Sequence, residues 1–161
     1  MITGGFVVTG PHPRAEVEQA VGRYLDHRAA LDRGEAPWSS VADFFTEDAV
    51  FVDAAWGRVE GRAAIAQLMD EAMAGLDGFC YPTDVAAIDG DDVLLKWRQV
   101  VSGLPGGDCE HTGVTILRYA GGGLFSFEED LMNVAVVGAD LLNAGWVPGP
   151  GFTMPPADPP R

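Results

Sequence analysis

The spacing of apolar positions changes roughly halfway along the chain. In residues 15–32 they recur every three or four positions, at Val17, Ala20, Val21, Tyr24, Leu25 and Leu31. That period predicts an amphipathic helix, which Gly34 stops. Ala20, Tyr24, His27 and Leu31 fall on one stripe of it. Ser39 or Ser40 can cap a short second helix running to Phe45. An apolar strand over residues 49–53 ends on a single carboxylate, Asp53. Gly57 and Gly61 bracket a turn, and a third helix over residues 62–74 turns Ile65, Leu68, Met69 and Met73 inward. From residue 81 the period is two. Residues 81–88, 93–102, 110–119 and 124–132 read as strands, and GDD, LPGGD and AGGG between them are turn chemistry. Helices first and strands second predict an α+β fold, with the three N-terminal helices packed on one face of a curved antiparallel sheet. The last stretch, WVPGPGFTMPPADPPR, is too rich in Pro and Gly for a regular helix and reads as an extended tail.

Composition narrows the partners. The chain has 161 residues, a length for one domain with a core and a cavity. Its 24 acidic against 10 basic residues give a net charge of −14, which disfavours nucleic acid and anionic membrane surfaces. No segment reaches the ~18 apolar residues of a bilayer span, and the N-terminus lacks a basic, apolar leader. A cytoplasmic location is the expectation. Cys80 and Cys109 are too few for a disulfide scaffold and read as free thiols. His12, His27 and His111 have no ligand spacing, so no metal is expected. Gly121–Gly123 lies in a hairpin, not between strand and helix, and is no phosphate loop.

Strand alternation selects the candidate chemistry. Leu95, Trp97, Gln99 and Val101 share a face opposite Lys96, Arg98 and Val100, which marks the Trp97 face as the covered one. His111, Gly113, Thr115 and Leu117 share another face. On the last strand Phe127, Glu129, Leu131 and Asn133 lie together, with Glu128 and Asp130 pointing the opposite way. If the helices cover these faces, Tyr24, Asp53, Trp97, His111, Thr115 and Glu129 converge on one pocket, although a single bulge would invert a face. A carboxylate delivered by a strand into apolar surroundings has a raised pKa and suits a general base. Asp53 fits that description, with the alternative that it simply ends a strand. Tyr24 reads equally as a core tyrosine, His111 as a strand-edge histidine, and Glu129 as a structural partner of His111 or Arg98.

The segments RYLDHRAALDRGE at 23–35, FFTEDAVFVD at 44–53, EGRAAI at 60–65, TILRY at 115–119 and GLFSFEEDLMN at 123–133 give the chain its family resemblance. Over residues 15–145 it resembles the nuclear transport factor 2-like superfamily, which includes ketosteroid isomerases, limonene epoxide hydrolases, scytalone dehydratases and SnoaL-type polyketide cyclases. The resemblance implies a cone-shaped fold. It puts Tyr24 where the isomerases have an oxyanion-donating tyrosine and Asp53 where they have a proton-shuttling base. Thr115 stands where they keep a protonated acid. Glu129 falls near the last-strand aspartate of the epoxide hydrolases, and His111 has a loose parallel in the dehydratases. The Arg–Asp pair that the hydrolases carry one strand earlier is not cleanly matched: Trp97 with Gln99, or Arg98 with Val100, stands there, depending on a one-residue shift.

The expected organisation is an extension over residues 1–14, the α+β domain over 15–145 and the tail over 146–161. The expected function is acid–base catalysis without a cofactor on a small, largely apolar organic molecule, by isomerisation, dehydration or cyclisation. Asp53, Tyr24, His111 and Glu129 are its candidate catalytic residues. Trp56, Trp97, Thr115, Phe127, Leu131 and Asn133 are the candidate pocket lining. Epoxide hydrolysis is the second enzymatic reading, and a non-catalytic ligand-binding or protein-interaction domain the rival from another class. A homodimer is expected, because a meander leaves one sheet face without helices.

Overall fold

A computed structural model describes residues 10–161, so most of the expected N-terminal extension lies outside the described residues. Helix α1 (Arg14–Asp32) starts directly after Pro13. Its buried stripe is Val17, Ala20, Val21, Tyr24 and Leu31. Arg28, four residues after Tyr24 and three before Leu31, continues that stripe. His27 sits beside it and meets Ser40 Oγ at 2.8 Å. The short second helix is a 3₁₀ helix (Trp38–Phe44), and α2 spans Arg62–Met73.

The strands are β1 (Phe45–Asp53), β2 (Gly57–Glu60), β3 (Phe79–Cys80), β4 (Thr83–Asp89), β5 (Asp92–Val101), β6 (Cys109–Gly121) and β7 (Leu124–Met132). They form one sheet in the order β2-β1-β7-β6-β5-β3, with β4 also on β5. Neighbours are antiparallel except β1 and β7, which run parallel, so the sheet is mixed rather than purely antiparallel. The segment expected only as a turn carries β2, which folds back on β1 through pairs such as Asp53 with Gly57. The apolar run after β7, for which no element was expected, is a third helix, α3 (Val134–Asn143).

The covered face of β5 and β6 is the expected one. Val93, Leu95, Trp97, Gln99 and Val101 are buried on β5, and Thr115, Leu117 and Tyr119 on β6. On β7 the face is reversed. Arg118 pairs with Phe127 but Tyr119 with Phe125, so a bulge intervenes. Phe125 and Glu128, three residues apart, are therefore both buried. Beyond the bulge Glu128, Asp130 and Met132 face inward, while Phe127, Glu129 and Leu131 face out. Leu131 is 44% exposed.

Two apolar clusters hold the layers together. The larger joins α1, the 3₁₀ helix, α2 and the sheet around Tyr24, Phe45, Phe51, Leu95 and Phe125. The smaller joins α3 to the far end of the sheet through Phe79, Val101, Cys109 and Leu141, with Trp146 against it. The indole of Trp97 lies flat across Gly113, where an added Cβ would come within 2.2 Å of the ring. Gly113→Ala should therefore displace Trp97 and cost about 1–3 kcal/mol through overpacking. Chemical denaturation checks this, and an unchanged midpoint would contradict the packing described.

Candidate functional site

A cavity of about 840 Å³ opens between the inner sheet face, α1, α2, α3 and the C-terminal segment. Its acid–base groups come from three elements: α1 supplies Tyr24 and Arg28, β1 supplies Asp53, and β7 supplies Glu128 and Asp130. The β1–β7 register sets Asp53 beside Asp130 and Phe51 beside Glu128. All three carboxylates are thus neighbours on one patch of the sheet.

Two chains of hydrogen bonds end on the β7 carboxylates. In the first, Arg28 Nη1 donates to the Tyr24 hydroxyl at 3.1 Å, and that hydroxyl donates to Glu128, whose oxygens lie at 2.9 and 3.0 Å. In the second, Trp97 Nε1 donates to Thr115 Oγ1 at 2.8 Å, and the Thr115 hydroxyl donates to Asp130 Oδ1. The Arg28 guanidinium also sits over Trp38, Tyr24 and Tyr81, 5.7–6.0 Å from their ring centroids. Asp53 Oδ1 accepts from the backbone amides of Ala55 and Trp56 at 2.7 and 2.8 Å, an Asx-type turn at the end of β1.

Burial and crowding separate the titrations of these groups. Glu128 is raised well above the ordinary carboxylate range, by desolvation first and by Asp130 second, against the pull of Arg28 and the Tyr24 bond. Asp130 is raised to about 6, also mainly by desolvation, with Arg28 and Thr115 acting the other way. Desolvation also raises Asp53. Tyr24 is raised well above its usual value, by burial and then by Glu128, and stays a neutral donor. Burial weakens the Arg28 cation, but Tyr24, Asp130 and Glu128 more than restore it. Among the described residues, one lasting cation thus faces three carboxylates. At neutral pH the arrangement favours a protonated Glu128 beside an ionised Asp130.

The structure brings together Tyr24, Asp53, Trp56 and Trp97 of the expected site. Thr115 is fully buried behind the cavity wall and reaches the site through Asp130. Five expected residues lie elsewhere. Glu129, Phe127 and Leu131 are on the outer face because of the β7 bulge. Asn133 caps α3, its Oδ1 accepting from Val136 N at 3.3 Å. His111 is on the inner face, but α3 covers it and its Nε2 meets Asp140 Oδ2 at 3.1 Å, outside the cavity. Sequence reasoning missed Arg28, Glu128 and Asp130. The 4-3-4-3 spacing of Val17, Val21, Tyr24, Arg28 and Leu31 was a readable signal for Arg28. For Glu128 and Asp130 the signal was alternation on the last strand, read with the faces interchanged.

The tail closes the cavity. Trp146, Pro148, Phe152, Met154 and Pro159 contribute to its wall. Gly149 N donates to Gly75 O at 2.9 Å, and Arg58 N to Pro160 O at 2.8 Å. Gly57 and Gly75 permit this approach, since a Cβ on either would strike the tail backbone within 2.3–2.8 Å. Among the described residues no helix is long and apolar enough to cross a membrane, and no three His, Cys, Asp or Glu side chains are grouped to hold a metal ion.

This architecture, a helix-lined cavity on a curved mixed sheet, is the nuclear transport factor 2-like fold. The model of the SnoaL-like domain matches residues 21–127, and the chain belongs to that family. No curated protein matches its sequence. Among solved structures it is similar to a candidate SnoaL-like polyketide cyclase from Jannaschia sp. CCS1, with a TM-score of 0.63 and 14% identity over 78% of this chain and 90% of that one. A hypothetical protein of ketosteroid isomerase-like fold from Catenulispora acidiphila DSM 44928, in complex with trimethylamine, gives a TM-score of 0.61 and 23% identity over 87% and 100% of the two chains. SalBIII, an epoxide hydrolase/cyclase-like enzyme described in pyran ring formation in polyether salinomycin, gives a TM-score of 0.57 and 14% identity over 75% and 93% of the two chains.

The raised Asp130 has a consequence for stability. Below about pH 4 it is protonated in folded and unfolded chains alike. Between its ordinary 3.8 and about 6 the folded chain keeps a proton that the unfolded chain releases, so rising pH weakens the fold. Asp130→Asn removes this loss. Its stability relative to the parent should rise from pH 4 to pH 7 and then level off, as denaturation at each pH would measure. A difference independent of pH would contradict the burial of this carboxylate.

Proposed function

We propose that this protein is an acid–base enzyme, needing no cofactor, that acts on a small, largely apolar organic molecule in the cavity. Isomerisation, dehydration or cyclisation are the reactions in view. The observation carrying this reading is the pair of hydrogen-bonded relays that end on adjacent carboxylates with separated titrations. A pure binding module has no need of titratable groups held within hydrogen-bond reach in its pocket. Membership of the SnoaL-like family, and likeness to candidate polyketide cyclases, support the same class.

In this mechanism Asp130, ionised at neutral pH, takes a proton from carbon or oxygen of the substrate. Protonated Glu128, held in place by the Tyr24 hydroxyl that donates to it, donates to the oxygen on which negative charge develops. Asp53 stands beside Asp130, with Oδ1 fixed by two backbone amides; the proton that Asp130 has taken passes to Asp53 and returns from it to the substrate at a second position, so both carboxylates end as they began. Trp56 and Trp97 hold the apolar body. His111 has no part in the chemistry and ties α3 to β6.

Thermal-shift screening of cyclic ketones and polyketide-like phenols would supply a substrate. With it, Asp130→Asn should lower kcat on the order of 100-fold or more. It should also abolish a rise in kcat/KM centred near pH 6, the value to which Asp130 is raised. Tyr24→Phe and Glu128→Gln should lower kcat while keeping that pH limb. Full turnover in Asp130→Asn would overturn the assignment and leave Asp53 as the base.

We also propose that two copies pair through the outer sheet face. Leu94 and Leu131 are 43% and 44% exposed there, with Val114, Ile116 and Phe127 half-buried beside them. Leu131→Glu should convert a dimer to a monomer in light scattering. A parent that is monomeric at micromolar concentration would refute the pairing.

A further inference from the structure

The chain has three tyrosines, and two of their hydroxyls are given a carboxylate. Tyr24 donates to Glu128, and Tyr119 donates to Glu16 Oε1 at 2.6 Å. Tyr81 has no such partner. Among the described residues its hydroxyl meets only Met73 Sδ, at 3.8 Å, and a thioether is a weak acceptor. A buried phenol ordinarily finds an oxygen or nitrogen instead.

The proposed chemistry makes no use of this group, although its position is closely fixed. Tyr81 lies between β3 and β4. Its backbone N–H donates to Asp32 Oδ2 on α1 at 2.8 Å, and the carbonyl of Pro82 beside it accepts from Arg98 N on β5 at 3.0 Å. Trp38 and Trp97 stand edge-on to the ring, with centroids at 5.6 and 5.8 Å. The Arg28 guanidinium lies 6.0 Å from its centre. A ring held on so many sides has little freedom left to lose when a ligand meets it.

The hydroxyl end belongs to the large cavity. Met73, Trp38, Trp97 and Arg28, which touch the ring or the hydroxyl, all line it, as does Tyr81 itself. Tyr81 is half-buried rather than sealed. It also forms part of the wall of a smaller cavity, of about 390 Å³, between α1 and β4. Met73, Trp38 and Trp97 are absent from that second wall, so the edge of the ring that faces Met73 looks into the first. Burial raises the Tyr81 phenol well above its usual value, against the pull of Arg28, and Asp32, Asp53 and Asp130 raise it further. The phenol is therefore a neutral donor at working pH, and it shares its surroundings with two carboxylates of the site.

We propose that Tyr81 is a substrate-binding residue, whose hydroxyl turns from the Met73 sulfur to donate to an acceptor oxygen of the molecule in the cavity. The substrate class follows: an apolar molecule bearing a carbonyl, ether or hydroxyl oxygen placed against Tyr81, near Met73 of α2. Oxygen is the stronger acceptor, and the exchange moves no more than the hydroxyl proton. This rests on the reading of the cavity as a small-molecule site and not on the identity of the base.

The test compares 2-acetylnaphthalene with 2-isopropenylnaphthalene, probes of one shape in which a C=O is replaced by a C=CH2. Binding of each to the full chain is followed by calorimetry. In Tyr81→Phe, which keeps the ring and its packing, the ratio of ketone to alkene affinity should fall about 5- to 10-fold, the worth of one neutral hydrogen bond. The infrared carbonyl stretch of the bound ketone should lie at lower wavenumber in the parent than in the variant. Met73→Leu removes the competing sulfur and should keep the parent ratio or raise it. An unchanged ratio in Tyr81→Phe overturns the proposal. So does a carbonyl stretch that does not move, or a parent that does not bind the ketone. A Tyr81→Phe variant that loses melting temperature and keeps the ratio would mark the hydroxyl as structural, which also overturns it. The acid–base reading fails separately, as full turnover in Asp130→Asn, and that result leaves the altered ratio in Tyr81→Phe standing.

Discussion

The line from Arg28 through Tyr24 to Glu128 is the contact on which the rest of this molecule turns. It crosses the core from the first helix to the last strand, between residues 104 positions apart in the chain at its Tyr24–Glu128 step. Leaving Glu128 and Asp130 ionised without partners in this interior would cost several kcal/mol each. The fold avoids that in three ways. One guanidinium is buried among aromatic rings, hydroxyls from Tyr24 and Thr115 are aimed at the carboxylates, and burial pushes Glu128 toward its neutral form. The register of β7 against β1 and β6 then has little freedom. A slip of one residue would turn both acids out and bring Glu129 and Leu131 into positions where nothing receives a charge.

That constraint explains which parts of the architecture were legible in the sequence. The period of three to four, then of two, gave α1, α2 and strands β5 to β7 because those segments bury one continuous face. Two features resisted for local reasons. The β7 bulge turns on pairing between Arg118, Tyr119 and their partners, which no window of one strand contains. Alternation without the bulge groups Phe127, Glu129, Leu131 and Asn133 on the inner face. The structure does the reverse, because here the inner face is a site rather than a core. Helix α3 is short and almost uniformly apolar, VAVVGADLLN, so it has little helical periodicity to detect.

The two ends of the chain contribute unequally to the cavity. Helix α1 and β1 bring Tyr24, Arg28 and Asp53, of which the sequence pointed to Tyr24 and Asp53 and missed Arg28. The last quarter, α3 and the tail, brings walls rather than chemistry: Val137, Leu141, Trp146 and Phe152. The tail keeps its course without a ladder. Backbone bonds to Gly75 and Arg58 fix it at two points, and edge-on contacts of Trp146 with Phe79 and Phe152 fix it between them. Its prolines limit the conformations open to it before docking, which lowers the entropy lost on ordering. A Pro- and Gly-rich composition is thus compatible with an ordered wall when the surface beneath is aromatic.

The chemistry of the site follows from an imbalance. One permanent cation cannot neutralise three neighbouring carboxylates in a dry pocket, so the protons must distribute unevenly. Glu128 is the more strongly raised, with Asp130 as the second cause after burial, while Asp130 remains near 6 with the help of Arg28 and Thr115. Two similar side chains, two residues apart on one strand, thereby become a donor and an acceptor at the same pH. Had Arg28 been a neutral residue, both acids would hold their protons and the pocket could not accept one. Had a second arginine stood beside it, both would be ionised and the pocket could not give one. The single guanidinium on the buried stripe of α1 is therefore what holds Asp130 near 6 while burial and Asp130 itself keep Glu128 well above the ordinary range.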